Sequence, residues 1–199
     1  TPGRRLAAAL WCLAALGSLA MMVLLQRLVL SRGRLLLSTM SLAALGMVAT
    51  AIVLTEWLRL NPCHLCIFQR ILHMGLAVCF ALAALSFAHR ASRRFWVLAG
   101  GLIALAGVGV AGFQSWEQWY PELVGGCTGA EPGLIEQLVE WLGIRWPRLF
   151  MATGFCESKE LVILGLSLAN WSFLAYAGFT AMASLILFYP SISRKENAS

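Results

Sequence analysis

Asn61-Pro62-Cys63-His64-Leu65-Cys66-Ile67-Phe68-Gln69-Arg70 stands between two long apolar runs, Leu35 to Trp57 before it and Ile67 to Phe87 after it. Proline lacks an amide donor and pushes the residue before it out of the helical region, so Asn61-Pro62 ends one helix and the cysteines fall at a helix boundary. Apolar runs of this length span a hydrocarbon core of ~30 Å at ~1.5 Å per residue. The stretch therefore reads as a turn between two membrane spans, with a Cys-x-x-Cys pair at the turn.

Composition agrees with that reading. The chain is 60% hydrophobic and 12% charged, with a mean hydropathy of +0.78, and lacks the polar surface a soluble globule of 199 residues needs. Its net charge of +6 comes from fifteen Lys and Arg in short clusters between apolar runs. No continuous basic face exists, which argues against a nucleic-acid partner and leaves membrane lipid as the surroundings. Internal repeats, low-complexity tracts and long linkers are absent from the sequence, so one compact membrane domain is expected.

Working outward from the turn, spans are expected over about 35–58, 67–87, 96–113 and 161–189, with a hydrophilic loop over 114–160. The third span carries Gly100, Gly101, Gly107, Gly109 and Gly112, small residues that let membrane helices approach closely. Residues 35–190 form the membrane domain and 191–199 a polar tail with Arg194 and Lys195. Residues 1–34 hold an uncharged run of 21, Leu6 to Gln26, followed by a basic connection. That run reads as an additional N-terminal hydrophobic helix rather than a signal peptide: it is longer than a signal core, and Gln26 to Arg34 offers no small-x-small cleavage site. The fold class is thus all-α integral membrane, a four-helix transmembrane bundle with an extra N-terminal helix and one long loop.

The connections at 27–34 and 89–94 and the 194–195 tail are basic, whereas the 114–160 loop holds seven of the nine acidic residues. The positive-inside rule places the basic segments in the cytoplasm, and the 61–66 turn and the long loop outside. Cys63, Cys66, Cys127 and Cys156 all fall on the outer side, where an oxidising compartment allows two disulfides. Cys12 and Cys79 lie within apolar runs and behave as small hydrophobes.

Cys-x-x-Cys lets two sulfurs meet across one turn, and a helix N-terminus just beyond favours the reactive thiolate through its unpaired N–H groups. Arg70 follows Cys66 by four residues and lies on the same helical face one turn deeper. An arginine there needs a partner: an anionic thiolate, a polar cofactor headgroup, or lipid headgroups reached by snorkelling. A zinc site would need two more ligands at finger-like spacing, and the 29-residue separation of Cys127 and Cys156 argues against one; haem attachment needs His directly after the second Cys. No metal is expected. His64, between the sulfurs, reads as a residue that tunes thiol reactivity or as an ordinary turn histidine; His73 and His89 read as structural. In the loop, Gly125-Gly126-Cys127-Thr128-Gly129 puts one sulfur in an exposed turn and Thr153-Gly154-Phe155-Cys156 puts the other just before the last span. Leu134, Ile135, Leu138, Val139, Trp141 and Leu142 mark one face of a short helix between them, either interfacial or packed.

Asn61 to Arg70, the loop Cys127, and Phe150-Met-Ala-Thr-Gly-Phe-Cys156-Glu followed by Leu164-Gly-Leu-Ser-Leu-Ala-Asn-Trp171 together resemble the DsbB family, over roughly residues 35–190. Members are bacterial inner-membrane oxidases that re-oxidise the periplasmic dithiol oxidase DsbA. The resemblance implies a four-helix bundle with its catalytic cysteines on the periplasmic side and a quinone, ubiquinone or menaquinone, bound near the second Cys of the first pair. It implies Cys63–Cys66 as the quinone-coupled redox pair, Cys127–Cys156 as the pair exchanging with a DsbA-like partner, and Arg70 as the residue assisting the quinone drawn from the membrane pool. The chain differs from the family pattern in its 6–26 run and in Trp119, ahead of Pro121, where many members carry a histidine. Two alternatives are a quinone reductase of the vitamin K epoxide reductase type and a non-catalytic scaffold stapled by disulfides. In the former the Cys-x-x-Cys follows the loop cysteines, and here it precedes them.

Overall fold

Where Asn61-Pro62 interrupts the apolar pattern, the chain turns back on itself. A computed structural model describes residues 33–120, 133–156 and 161–188; the 6–26 run, Cys12, Cys127 and the tail lie outside the described residues. Four of the described helices are long and apolar enough to cross a membrane: α1 (Gly33–Leu58), α2 (His64–Leu85), α3 (Arg90–Trp119) and, after the loop elements, α6 (Leu168–Phe188). The chain is a multi-pass, all-α integral membrane protein.

Helix α1 packs on α2, α2 on α3, and α3 on α6. Helix α1 ends in a Schellman-type turn: Arg59 takes the left-handed conformation at φ 51 and the Leu60 N–H bonds Thr55 O at 3.2 Å. Pro62 then leads into Cys63, the N-cap of α2. At the other end of the bundle, the Arg93 guanidinium sits 4.7 Å from the Phe87 ring and donates to Phe87 O at 3.2 Å, closing the short α2–α3 connection.

Alanines dominate the core. Ala44, Ala77, Ala83, Ala84, Ala104, Ala111 and Ala183 are buried around Leu37, Leu76, Phe80, Tyr176 and Phe179. In lipid the helices gain little from hiding apolar surface, so close contact through small residues and hydrogen bonds across helices does the work. Ser41 donates to Ala77 O at 2.8 Å between α1 and α2, and Phe80 stacks on Phe179 at 5.9 Å between α2 and α6. Leucines such as Leu42, Leu98, Leu102 and Leu105 point outward, as a lipid-facing surface requires.

Two spans differ from the apolar runs that announce them. Helix α3 extends beyond the 96–113 run at both ends, because nothing breaks the helix until Pro121. The last span starts at Leu168 instead of Leu161: Val162–Ile163 (β1) and Leu166–Ser167 (β2) form a two-residue-turn hairpin, with Leu164 and Gly165 both at positive φ. The loop contributes α4 (Leu134–Arg145) and the single turn α5 (Pro147–Phe150).

A Cβ on Gly107 would lie 2.4 Å from the Tyr176 ring, where α3 meets α6. Gly107→Val is expected to wedge the two helices apart and cost about 1–3 kcal/mol, the usual penalty of overpacking. A thermal unfolding midpoint in detergent equal to that of the native chain would show that this contact is dispensable.

Candidate active site

Cys63 is the N-cap of α2, and its sulfur accepts a hydrogen bond from the Cys66 N–H at 3.4 Å. A sulfur thus takes the position that Ser or Asp fills in ordinary helices, satisfying one of the donors left open in the first turn. The two sulfurs lie 3.2 Å apart, hydrogen-bonded as thiols.

Cys156, 90 residues beyond Cys66 in the chain, joins this pair. Pro62 O accepts from the Thr153 N–H at 2.9 Å and from the Gly154 N–H at 3.2 Å, and Thr153 Oγ1 lies 3.3 Å from Asn61 Oδ1. A Cβ on Gly154 would fall 1.9 Å from Asn61 O, so only glycine permits the approach. The segment is held from below by Val139 and Phe150, which pack on Ile67 of α2 with Ile135 and Leu142 at the margin. Helix α4 therefore turns one apolar edge to the bundle, while Leu134, Trp141 and Ile144 remain exposed. His64 Nε2 lies 4.0 Å from Glu140 Oε1, a rim contact of small energetic weight between the Cys-x-x-Cys and α4.

The docking makes Cys63 the middle sulfur of three, hydrogen-bonded to both Cys156 and Cys66. One proton on Cys63 serves two neighbouring sulfurs. Those hydrogen bonds, to Cys156 first and then to Cys66, together with burial hold the Cys63 thiol far above the ordinary range. The Cys156 thiol is held below it, chiefly by the hydrogen bond with Cys63 and in part by one from the Leu65 backbone at the α2 N-terminus, against the opposing effect of burial. Among these two, negative charge settles on Cys156.

Arg70 lies one turn below Cys66 and is only 7% exposed. It does not snorkel. Its guanidinium donates to Thr55 Oγ1, to Ala51 O at 3.3 Å and to Leu149 O at 3.4 Å. Thr55 Oγ1 in turn donates to Ala51 O at 2.7 Å. Across the pair, Gln114 of α3 donates to Cys66 Sγ at 3.0 Å and Cys63 Sγ at 3.3 Å, and its carbonyl accepts from Gln69 Nε2 at 2.7 Å. A cavity of about 160 Å³ opens beside these groups, with Met47, Val48 and Leu54 as apolar wall and Cys66, Arg70, His73 and Gln118 among its polar lining.

Trp119, where the family's histidine was expected, is 66% exposed and does not line the cavity. The α3 side of the site is Gln114 and Gln118 instead, one helical turn apart on the inward face. His73, read from sequence as structural, also lines the cavity. A signal for it was present: Cys66, Arg70 and His73 recur at i, i+4 and i+7, a single helical face, and polar groups inside a membrane span are rarely incidental. Cys127 is outside the described residues.

Two measurements follow from this geometry. In a Cys66→Ser, Cys127→Ser background, mild oxidation should link Cys63 to Cys156, and adding Gly154→Ala should slow that linkage at least tenfold, since a 1 Å displacement can cost about a hundredfold in rate; equal rates would remove the docking role of Gly154. In the fully reduced chain, iodoacetamide titrated upward in pH should label Cys156 at lower pH than Cys63, because a lowered thiol pKa puts the thiolate there first; peptide mass spectra reversing that order would contradict the charge assignment.

Comparison with known proteins places these features in a family. The profile described as "Disulfide bond formation protein DsbB" matches residues 33–186. The disulfide bond formation protein B of Dechloromonas aromatica (strain RCB) is 46% identical over 150 residues, covering 75% of this chain and 88% of that protein. That of Paracidovorax citrulli (strain AAC00-1) is 36% identical over 157 residues, 77% of this chain and 85% of the relative, and that of Verminephrobacter eiseniae (strain EF01-2) is 37% identical over 147 residues, 72% and 80%. The chain belongs to the DsbB family of disulfide bond formation proteins.

Proposed function

We propose that this protein is a protein-dithiol:quinone oxidoreductase of the bacterial inner membrane, re-oxidising a periplasmic DsbA-like dithiol protein. The observation that carries the reading is the contact of three sulfurs in the order Cys156, Cys63, Cys66. Thiol–disulfide exchange needs an attacking sulfur, a central sulfur and a leaving sulfur in mutual contact, and the attacker must be a thiolate. Cys156 lies beside Cys63 for attack on a Cys63–Cys66 disulfide, and the hydrogen bond from the Leu65 backbone, which needs no proton on Cys63, favours its thiolate.

The sequence of bonds is then as follows. A partner thiolate attacks Cys127 of a Cys127–Cys156 disulfide, forming a mixed disulfide and freeing Cys156. Cys156 attacks Cys63, the Cys63–Cys66 bond breaks, and the thiolate remains on Cys66. The second partner thiol resolves the mixed disulfide, the partner leaves oxidised, and the freed Cys127 attacks Cys156 of the Cys156–Cys63 disulfide, which restores the Cys127–Cys156 bond and leaves Cys63 and Cys66 reduced. The Cys66 sulfur receives a hydrogen bond from Gln114 and has Arg70 one turn below.

The cavity fits a quinone headgroup on three counts: its volume is about that known to hold a single six-membered ring, its walls are mostly apolar, and Arg70 and Gln118 supply donors suited to ring oxygens. When bound, a quinone supplies a two-electron, two-proton sink. Arg70 would hold and polarise the headgroup, with Thr55 and two backbone carbonyls fixing the guanidinium. The basic 89–94 connection and the acidic loop support an outer, periplasmic position for the cysteines.

With reduced DsbA-like protein and a soluble quinone, the intact chain should yield quinol and Cys66→Ser none; unchanged turnover in that variant would sink the assignment. With a partner whose second active-site cysteine is replaced by Ala, the intact chain should accumulate a disulfide between Cys127 and the partner, identified by mass, and Cys127→Ser should give none.

A further inference from the structure

One buried polar atom on a cavity-lining residue is left unused by this mechanism. His73 is 4% exposed, lines the cavity, and has no hydrogen-bond partner for Nε2 among the described residues. Its other nitrogen is fully engaged: Nδ1 lies 2.9 Å from Gln69 O and 2.7 Å from Tyr176 Oη, while Tyr176 Oη also reaches Gln69 O at 2.7 Å. Tyr176, wholly buried and tilted against the imidazole with ring centroids 4.2 Å apart, fixes the ring. An unpaired imidazole nitrogen away from water is costly unless something in the cavity uses it.

Nδ1 lies within hydrogen-bond distance of the Gln69 carbonyl oxygen, which can only accept, so in the neutral ring Nδ1 carries the proton and Nε2 is a bare acceptor. With Nδ1–H held in place, Nε2 can take up a proton and pass it on without moving the ring. Among the other cavity-lining side chains, the cysteines carry the electrons and Arg70 does not release its proton, so His73 is the remaining group able to exchange one.

We propose that His73 is the proton-transfer residue for the lipid-soluble acceptor, donating from Nε2 to an acceptor oxygen as the electron pair leaves Cys66. The inference rests on the quinone reading of the cavity. Two electrons and two protons leave the partner's thiols, and the same number reach the acceptor as the Cys63–Cys66 disulfide re-forms. His73 Nε2 takes up one proton released by that oxidation and passes it to an acceptor oxygen, ending unchanged; the second proton reaches the acceptor from the outer solution.

The test uses the purified full chain in lipid nanodiscs with a short-chain benzoquinone, in three readouts: quinone affinity by titration, single-turnover thiol exchange with reduced partner in the absence of quinone, and quinol formation. His73→Gln keeps a hydrogen-bonding side chain that cannot shuttle a proton. It should hold affinity within about threefold and exchange within about twofold of the native chain, while quinol formation falls about 10²-fold, the usual scale of general acid catalysis. Tyr176→Phe, which frees the ring but leaves Nε2, should lower quinol formation by a smaller factor with exchange unchanged. Quinol formation by His73→Gln within twofold of native overturns the inference, and so does a parallel loss of thiol exchange, which would mark a merely structural histidine. Failure of the native chain itself to form quinol overturns the quinone reading instead.

Discussion

Burial of one guanidinium ties three parts of this protein together. Arg70 sits in a membrane-spanning helix, only 7% exposed, and among the described residues no carboxylate pairs with it. The protein satisfies it with Thr55 and Ala51 O of α1 and Leu149 O of the loop. Each of those acceptors is held close by the cost of leaving the charge without them. The loop's single helical turn at 147–150 is thereby drawn against the bundle, and the following Thr153-Gly154 can reach Pro62. The position of Cys156 beside Cys63 is downstream of that constraint.

The same logic governs the polar residues around the sulfurs. Gln69, Gln114, His73 and Tyr176 form hydrogen bonds between α2, α3 and α6 in a core otherwise built of apolar side chains, half of them alanine. In a hydrocarbon setting such groups must find partners within the protein, which makes them both a source of helix specificity and a ready-made polar wall for a guest. Gln114 does both, bridging to Gln69 and presenting its amide to Cys66 and Cys63. The close passage of Gly107 over Tyr176 places that ring deep enough to meet His73, so packing of α3 on α6 and the chemistry of α2 are linked through one side chain.

Much of this was legible before any coordinates. The spans are long uncharged runs, and the turn at Asn61-Pro62 follows from proline's missing donor. The placing of Cys-x-x-Cys at a helix boundary, with Arg70 one turn on along the same face, is equally local. The ends of the third and fourth spans depart from their apolar runs because hydropathy marks where lipid is, not where helical hydrogen bonding stops. Helix α3 runs through Gln114 and Gln118, and Leu164-Gly165 turns a hairpin in what reads as the start of an apolar run.

The sequence by itself determined the membrane class, the number and order of the described spans, and which cysteines stand apart from the apolar core, because these rest on local composition and residue spacing. Only the tertiary structure decided that Cys63 is the middle sulfur, that Gln114 and not Trp119 faces the pair, and that His73 lines the cavity with a nitrogen to spare. Those outcomes depend on contacts between residues tens of positions apart, fixed by helix packing and by the pairing of buried polar groups, and no local pattern along the chain encodes which of them meet.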